Sequence, residues 1–195
     1  MSADRDTIAV YDARSADYAN MVSAWEAPGI DTFIAAMPRS GHVLDLGCGP
    51  GLDARAMMDA GLTVDAVDAS AQMVSVAQAA GVTARQALFD EIEGEGLYDG
   101  IWANFSLLHA PRAAFPFHLM ALARALKPGG LLHLGMKLGE GEGRDGLGRF
   151  YTYYDEDDLV RHLKMTGFTP AASFRGMGKG PSGEQSPWIW IQAHG

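Results

Sequence analysis

The sequence predicts a single α/β domain with a seven-stranded, mostly parallel sheet, an antiparallel last strand, helices on both faces and a helical cap in front. Three observations predict it. From residue 42 onward, short runs rich in Val, Leu and Ile alternate with longer helical stretches, the pattern of βαβ units joined by crossover helices. Gly61 and Gly81 stand where two of those helices must stop, in places suited to a left-handed residue after a helix. The last two β-rich runs are joined by a glycine-rich stretch with no helical pattern, too short for a crossover, so they are expected to run antiparallel.

Taken in order, two helical pieces, about 7–21 and 29–37, are separated by Glu26-Ala27-Pro28. His42 to Leu46 is the first expected strand and 52–60 the helix after it. Thr63 to Val67 is the second strand, followed by a helix that Ser70 caps and that runs to about Ala80. A weaker third strand spans 82–88, an acidic loop follows at 90–96, and Tyr98 to Ala103 makes a fourth strand. The next helix starts near Pro111 and is ended by Lys127-Pro128-Gly129-Gly130, before a fifth strand at 131–136. Asp155-Glu156-Asp157-Asp158 opens a helix to about Thr166, where carboxylates suit the positive end of the helix dipole and serve as caps rather than ligands. Strands at 168–174 and 188–193 complete the sheet.

Composition narrows the partners. A chain of 195 residues that is 48% hydrophobic can bury a core without staples. A net charge of −9, with Lys and Arg scattered from Arg5 to Lys179, repels phosphate backbones and anionic lipid. No nucleic acid and no membrane partner is expected, and a neutral or cationic small molecule suits the overall field better. Cys48 is the sole cysteine, so no internal disulfide forms, and no Cys/His spacing suggests a metal. With no basic-then-apolar leader pattern and no long apolar run, the expectation is a soluble, cytoplasmic protein.

The chemistry begins at Val43-Leu44-Asp45-Leu46-Gly47-Cys48-Gly49-Pro50-Gly51, a buried strand entering a turn with glycine at every second position. Glycine is required where the backbone turns sharply and a ligand must lie against it without a Cβ in the way. Seventeen residues after Gly51, the second strand ends at Asp68, where a carboxylate can accept both hydroxyls of a ribose. A dinucleotide fingerprint asks for a third small residue where this chain has Leu52. That disfavours an NAD-dependent oxidoreductase, the first alternative.

The glycine turn is similar to the first motif of class I S-adenosylmethionine-dependent methyltransferases, a Rossmann-like family. The resemblance continues through Val67-Asp68-Ala69-Ser70-Ala71-Gln72-Met73, Tyr98-Asp99-Gly100-Ile101-Trp102-Ala103 and Leu126-Lys127-Pro128-Gly129-Gly130, over about residues 40–136. It implies that S-adenosyl-L-methionine is bound and S-adenosyl-L-homocysteine released, with no metal. Asp45 would organise the turn and the methionine amino group, while Gly47, Gly49 and Gly51 line the methionine and ribose. Asp68 would hold the ribose hydroxyls, with Cys48, Ala69, Met73 and Asn104 around the cofactor. The acid that many members carry after the third strand falls at Leu88, with Asp90 two residues on, so Leu88 and Phe89 are expected to give the adenine an apolar face. Cys48 is expected to be a small residue under the turn, not a nucleophile.

The acceptor side begins at Asn104-Phe105-Ser106-Leu107-Leu108-His109, because ligands bind at the carboxyl ends of strands in such sheets. His109 is a candidate general base or a pocket wall. Gly139, Gly141, Gly143, Gly146 and Gly148 alternate with charges before Phe150-Tyr151-Thr152-Tyr153-Tyr154, a composition expected of a lid over the acceptor. Lys137, Arg149 and Tyr151 are candidates for the acceptor pocket. Tyr11 and Tyr18, seven residues apart, either close the cofactor pocket or pack on the sheet. The expected organisation is one methyltransferase domain over 1–195: a helical cap at 1–39, a cofactor-binding core at 40–136, and lid and C-terminal strands at 137–195. Methyl transfer to a small-molecule acceptor is the expected activity, and a non-catalytic cofactor-binding protein is the second alternative.

Overall fold

The computed structural model describes residues 3–180, 183 and 185–195. The main sheet has seven strands in the order β3-β2-β1-β4-β5-β9-β8, where β1 is His42–Leu46, β2 Thr63–Asp68, β3 Ala84–Gln86, β4 Tyr98–Asn104, β5 Leu126–Lys137, β8 Thr169–Lys179 and β9 Gln185–His194. Strands β1 to β5 pair in parallel, and β9 lies antiparallel between β5 and β8. The helices are α1 (Arg5–Ala13), α2 (Ser15–Val22), α3 (Ile30–Ala36), α4 (Leu52–Asp59), α5 (Ala71–Ala79), α6 (Phe115–Ala125) and α7 (Glu156–Met165).

Side-chain alternation on the central strands explains why both faces are covered. Leu44, Leu46, Ile101, Ala103, Leu132 and Leu134 pack with Phe115, Leu119 and Leu122 of α6 and Leu159 and Leu163 of α7. Val43, Trp102 and Leu131 point the other way, onto Phe33 of α3 and Met57 of α4. Ala54 and Ala77, from α4 and α5, close over Ala66 of β2. On α6 the apolar Phe117 and Met120 face solvent. Caps fall where expected: Ser70 Oγ accepts the Met73 N–H, and the Asp155 carboxylate accepts the Asp158 N–H.

Four local expectations change. The first helical piece breaks at Arg14 (φ −124°, ψ 18°) into α1 and α2, each of which packs against α5. Strand β3 is only three residues long, because the chain turns into a 3-10 turn at Phe89–Glu91. Leu126 already pairs with Tyr98, so β5 starts before Pro128, with a register shift that accommodates the turn. Much of the glycine-rich 175–186 connection is strand, because Gly176 and Gly178 lie directly against the Trp188 indole and leave room for it.

The segment expected to be a lid contains a second, two-stranded sheet, β6 (Glu142–Arg144) paired with β7 (Phe150–Thr152). It is fastened to α1: Arg144 donates to both Asp4 oxygens at 3.0 and 2.7 Å, and Phe150 N–H donates to Thr7 Oγ1 at 2.8 Å.

Candidate functional site

The parallel strands end at one cavity of about 640 Å³, walled by the turn after β1, the ends of β2, β4 and β5, helices α1 and α2, and the β8–β9 hairpin. This is where open parallel sheets bind ligands.

The floor is the glycine turn. Gly47 and Cys48 both donate their N–H to Val67 C=O, at 2.8 and 2.9 Å, which ties the turn to the end of β2. The three glycines have positive φ for different reasons. A Cβ on Gly47 would stand 2.4 Å from Ser106 Cβ, and one on Gly51 3.0 Å from Ala77 Cβ, so these two permit close packing to the turn after β4 and to α5. A Cβ on Gly49 would meet nothing nearer than the Tyr18 ring at 3.9 Å, so it would stand in the cavity itself. Gly47, Cys48 and Gly49 line the cavity, whereas Asp45 and Gly51 lie behind it.

Asp68 closes the floor against β2. One carboxylate oxygen accepts the Gly49 N–H and the other the Ser70 N–H, each at 2.8 Å, leaving a further lone pair on each oxygen. Asp12 of α1 accepts from Ser70 Oγ at 2.6 Å, which docks the helical cap on this strand end. Asp53, in the first turn of α4, also lines the cavity and accepts from Trp102 Nε1 at 2.8 Å. Sequence reasoning missed Asp53; its position two residues beyond Gly51 was the available signal. Burial raises the carboxyl pKa values of Asp45, Asp53 and Asp68, and at Asp45 the charges of Asp53 and Asp68 add to it. Three carboxylates in one poorly hydrated place favour a cationic ligand. The same burial, with Asp45 and Asp68 nearby, pushes the Cys48 thiol pKa up, which suits a packing residue and not a nucleophile.

Ala69, Met73, Leu88 and Phe89 form an apolar side wall beside Asp68. Leu88 N–H is taken by the Glu91 carboxylate at 2.8 Å, so Leu88 presents its side chain there. Asp90 lies outside the wall.

At the other end a chain of hydrogen bonds joins residues far apart in sequence. His109 Nδ1 lies 2.6 Å from Phe150 C=O, which can only accept, so Nδ1 carries the proton and Nε2 is the acceptor. Tyr11 O–H then donates to Nε2 at 2.9 Å, and Arg149 donates to the Tyr11 oxygen at 2.9 Å. Arg149 is itself paired with Asp145 at 2.6 Å, with both side chains buried. Burial lowers the His109 pKa to about 4, and the charges of Arg149 and Lys137 push the same way. A nitrogen that already accepts a hydrogen bond and titrates there is a poor proton acceptor near neutrality, which weighs against the general-base role.

Tyr18 meets Tyr11 edge to face, with ring centroids 5.4 Å apart, and both line the cavity. Asn104, Lys137 and Tyr151 also line it. Phe105 and Trp188, which sequence reasoning missed, make a right-angled corner with centroids 6.1 Å apart. Phe105 has a φ of +53°, unfavourable for a side chain this large, and its N–H is held by Gly135 C=O at 3.0 Å. Strain of that kind, about 1–3 kcal/mol, collects at ligand sites. Among the described residues, no three His, Cys, Asp or Glu side chains gather as a metal site, and no helix is long and apolar enough to cross a membrane.

Comparison with known proteins agrees with this geometry. Residues 43–130 match the family described as "Methyltransferase domain". The malonyl-[acyl-carrier protein] O-methyltransferase of Enterobacter lignolyticus (strain SCF1) is 31% identical over 134 residues, 66% of this chain; the chain spans about half of that relative's length, 53%. The Burkholderia thailandensis 1,6-didemethyltoxoflavin-N1-methyltransferase, solved with 1,6-didemethyltoxoflavin and S-adenosylhomocysteine, superposes with a TM-score of 0.78 at 24% identity, covering 100% of this chain and 91% of that one. The [4+2]-cyclase SpnF superposes with a TM-score of 0.73 at 15% identity, covering 99% and 96%. The glycine turn of β1 and the acid ending β2 thus lie in a segment, residues 43–130, that is similar to the methyltransferase-domain family, and the seven-stranded sheet with β9 antiparallel between β5 and β8 is the fold shared with the solved methyltransferases.

Proposed function

We propose that this protein transfers the methyl group of S-adenosylmethionine to a small-molecule acceptor, as one functional unit and in the cytoplasm. The observation that carries the proposal is the continuity of the cavity from Gly47, Gly49 and Asp68 to Lys137 and Tyr151. One continuous cleft has room for a cofactor and an acceptor end to end. Two features fit the cofactor: the open floor at Gly49, and Asn104 Oδ1 and Ser106 Oγ, buried polar atoms of lining residues that lack a protein partner.

When bound, the cofactor supplies a methyl group already activated on a sulfonium. In this reading Asp68 holds the ribose hydroxyls, Gly47, Cys48, Gly49 and Asn104 border the methionine part, and Ala69, Met73, Leu88 and Phe89 border the adenine. Asp45, behind the turn, and Asp53 supply the negative field that suits a cation. Gly51 acts through helix packing. Tyr11 and Tyr18 close the space from the α1–α2 side and keep water out, and His109 acts by holding Tyr11. The β6–β7 hairpin, clasped to α1, is the lid over the acceptor. The chain's remaining task is alignment, since the leaving sulfide is neutral. The single buried Cys48 supports a reducing compartment.

A dinucleotide is a poorer fit. Its pyrophosphate would sit at the N-terminus of α4, where the Asp53 carboxylate stands and Leu52 replaces a small residue. Calorimetric titration with S-adenosylhomocysteine and NAD, followed by a labelled-methyl turnover assay against metabolite fractions, tests the proposal. Binding of NAD alone would overturn it. Cofactor binding without transfer to any fraction would favour a non-catalytic role.

A further inference from the structure

The helical cap is tied to the cofactor end of the cavity through Asp12. This residue of α1 accepts from Ser70 Oγ at 2.6 Å and from the Gln72 N–H at 3.2 Å with the same carboxylate oxygen, although it stands 58 residues before Ser70. A hydroxyl has one proton to give, so donation to Asp12 turns the lone pairs of the Ser70 oxygen to the Met73 N–H, accepted at 3.1 Å. Ser70 is buried, and its own backbone N–H is the one that Asp68 accepts at 2.8 Å. Asp12 therefore fixes the residue that fixes Asp68.

Docking the cap does not by itself require an acid at this position. Placing one there sets a second carboxylate across Ser70 from Asp68; burial raises the Asp68 pKa, and the charge of Asp12 adds to it. The fold accepts that repulsion where the Asp68 carboxylate is aimed, one oxygen taking the Gly49 N–H and the other the Ser70 N–H. The neighbouring Tyr11 is bonded to His109 and to Arg149, at 2.9 Å each, so Asp12 is presented from a helix turn that is itself held in place. Asp12 does not line the cavity, whereas Asp68, Ser70 and Met73 all do.

We infer that Asp12 is a positioning residue for cofactor binding: through Ser70 it holds the Asp68 carboxylate in the orientation that receives the ribose hydroxyls. The helical cap then completes the cofactor site and does not only cover it. The inference rests on the reading of Asp68 as the ribose acceptor and extends it to a residue that touches no ligand.

Calorimetric titration with S-adenosylhomocysteine, adenosine and 2′-deoxyadenosine tests it. In Asp12→Ala the affinity for S-adenosylhomocysteine is expected to fall about tenfold, the low end for a hydrogen bond to a charged group. The wild-type preference for adenosine over 2′-deoxyadenosine should shrink with it. Asp12→Asn, which keeps an oxygen for both bonds, should retain affinity and preference. Asp12→Ala should change little once Ser70→Ala is present, because the effect passes through Ser70. A cap that is merely loosened would weaken both nucleosides alike, so an unchanged preference in Asp12→Ala would overturn the inference, as would an Asp12→Asn variant that behaves like Asp12→Ala. If the wild type binds no S-adenosylhomocysteine, the methyl-transfer reading fails. If it binds this product but does not distinguish the two nucleosides, the ribose role of Asp68 fails and this inference with it. If it distinguishes them equally well with and without Asp12, this inference alone fails.

Discussion

Tyr11 O–H donates to His109 Nε2 across 2.9 Å, joining the first helix of the chain to the turn after β4. With the neutral imidazole Tyr11 O–H is the donor; protonating Nε2 would reverse the bond and place a second cation beside Arg149. Burial lowers the His109 pKa from 6.5 to about 4, so between these values the unfolded chain binds a proton that the folded chain refuses. Stability from this site is fully present above about pH 6.5 and is lost as pH falls towards 4, by at most about 3 kcal/mol. His133, lowered by burial to about 3, acts in the same direction. Urea denaturation at pH 8 and pH 5 should therefore show an acid-side loss that is smaller in His109→Gln. An unchanged pH dependence in the variant would contradict the assignment.

Arg149 and Asp145 form an ion pair whose side chains are 2% and 3% exposed. Removing one partner strands the other charge away from water. Arg149→Met is expected to cost about 3–5 kcal/mol of stability, the range for breaking a buried pair. Thermal and urea unfolding check this, with Lys137→Met as the comparison expected to cost far less. Similar losses in both would mean that burial of the Arg149–Asp145 pair is not what makes Arg149 costly to remove.

Asp68→Ala removes the acceptor for the Gly49 and Ser70 N–H groups as well as the expected ribose contact. Affinity for S-adenosylhomocysteine should fall by about 1.5–3 kcal/mol, the scale of hydrogen bonds to a charged group. Calorimetry gives the value directly. Unaltered affinity would place the ribose elsewhere.

Gly47 and Gly49 should separate folding from binding. An alanine Cβ at position 47 would press on Ser106 Cβ at 2.4 Å, so Gly47→Ala should lower the melting temperature. At position 49 the nearest atom is 3.9 Å away, and Gly49→Val should leave a folded protein that no longer binds cofactor, beyond the strain of a β-branched residue at φ +51°. A folded Gly49→Val that still binds would remove the case for this floor.

What was legible in the sequence is what neighbouring residues decide among themselves. The alternation of β1 to β5 with helices, the stops at Gly61 and Gly81, the cap at Ser70 and the acid ending β2 each depend on a few consecutive positions. Asp68 could be singled out because strand, glycine turn and next strand end are joined by short, regular connections. Boundaries were less legible where pairing overrides local preference, as at Pro128 inside β5 and the glycines of β8 that admit Trp188.

The acceptor end is a matter of tertiary structure alone. Tyr11, His109 and Arg149 meet although the first and last are 138 residues apart, and nothing near any of them in the chain announces the contact. Burial decides that His109 is a weak base, and the Asp145 pair decides that Arg149 is held in the wall. Composition reports the net charge of the whole chain, whereas a ligand feels the few charges that folding brings within reach in a poorly hydrated cavity.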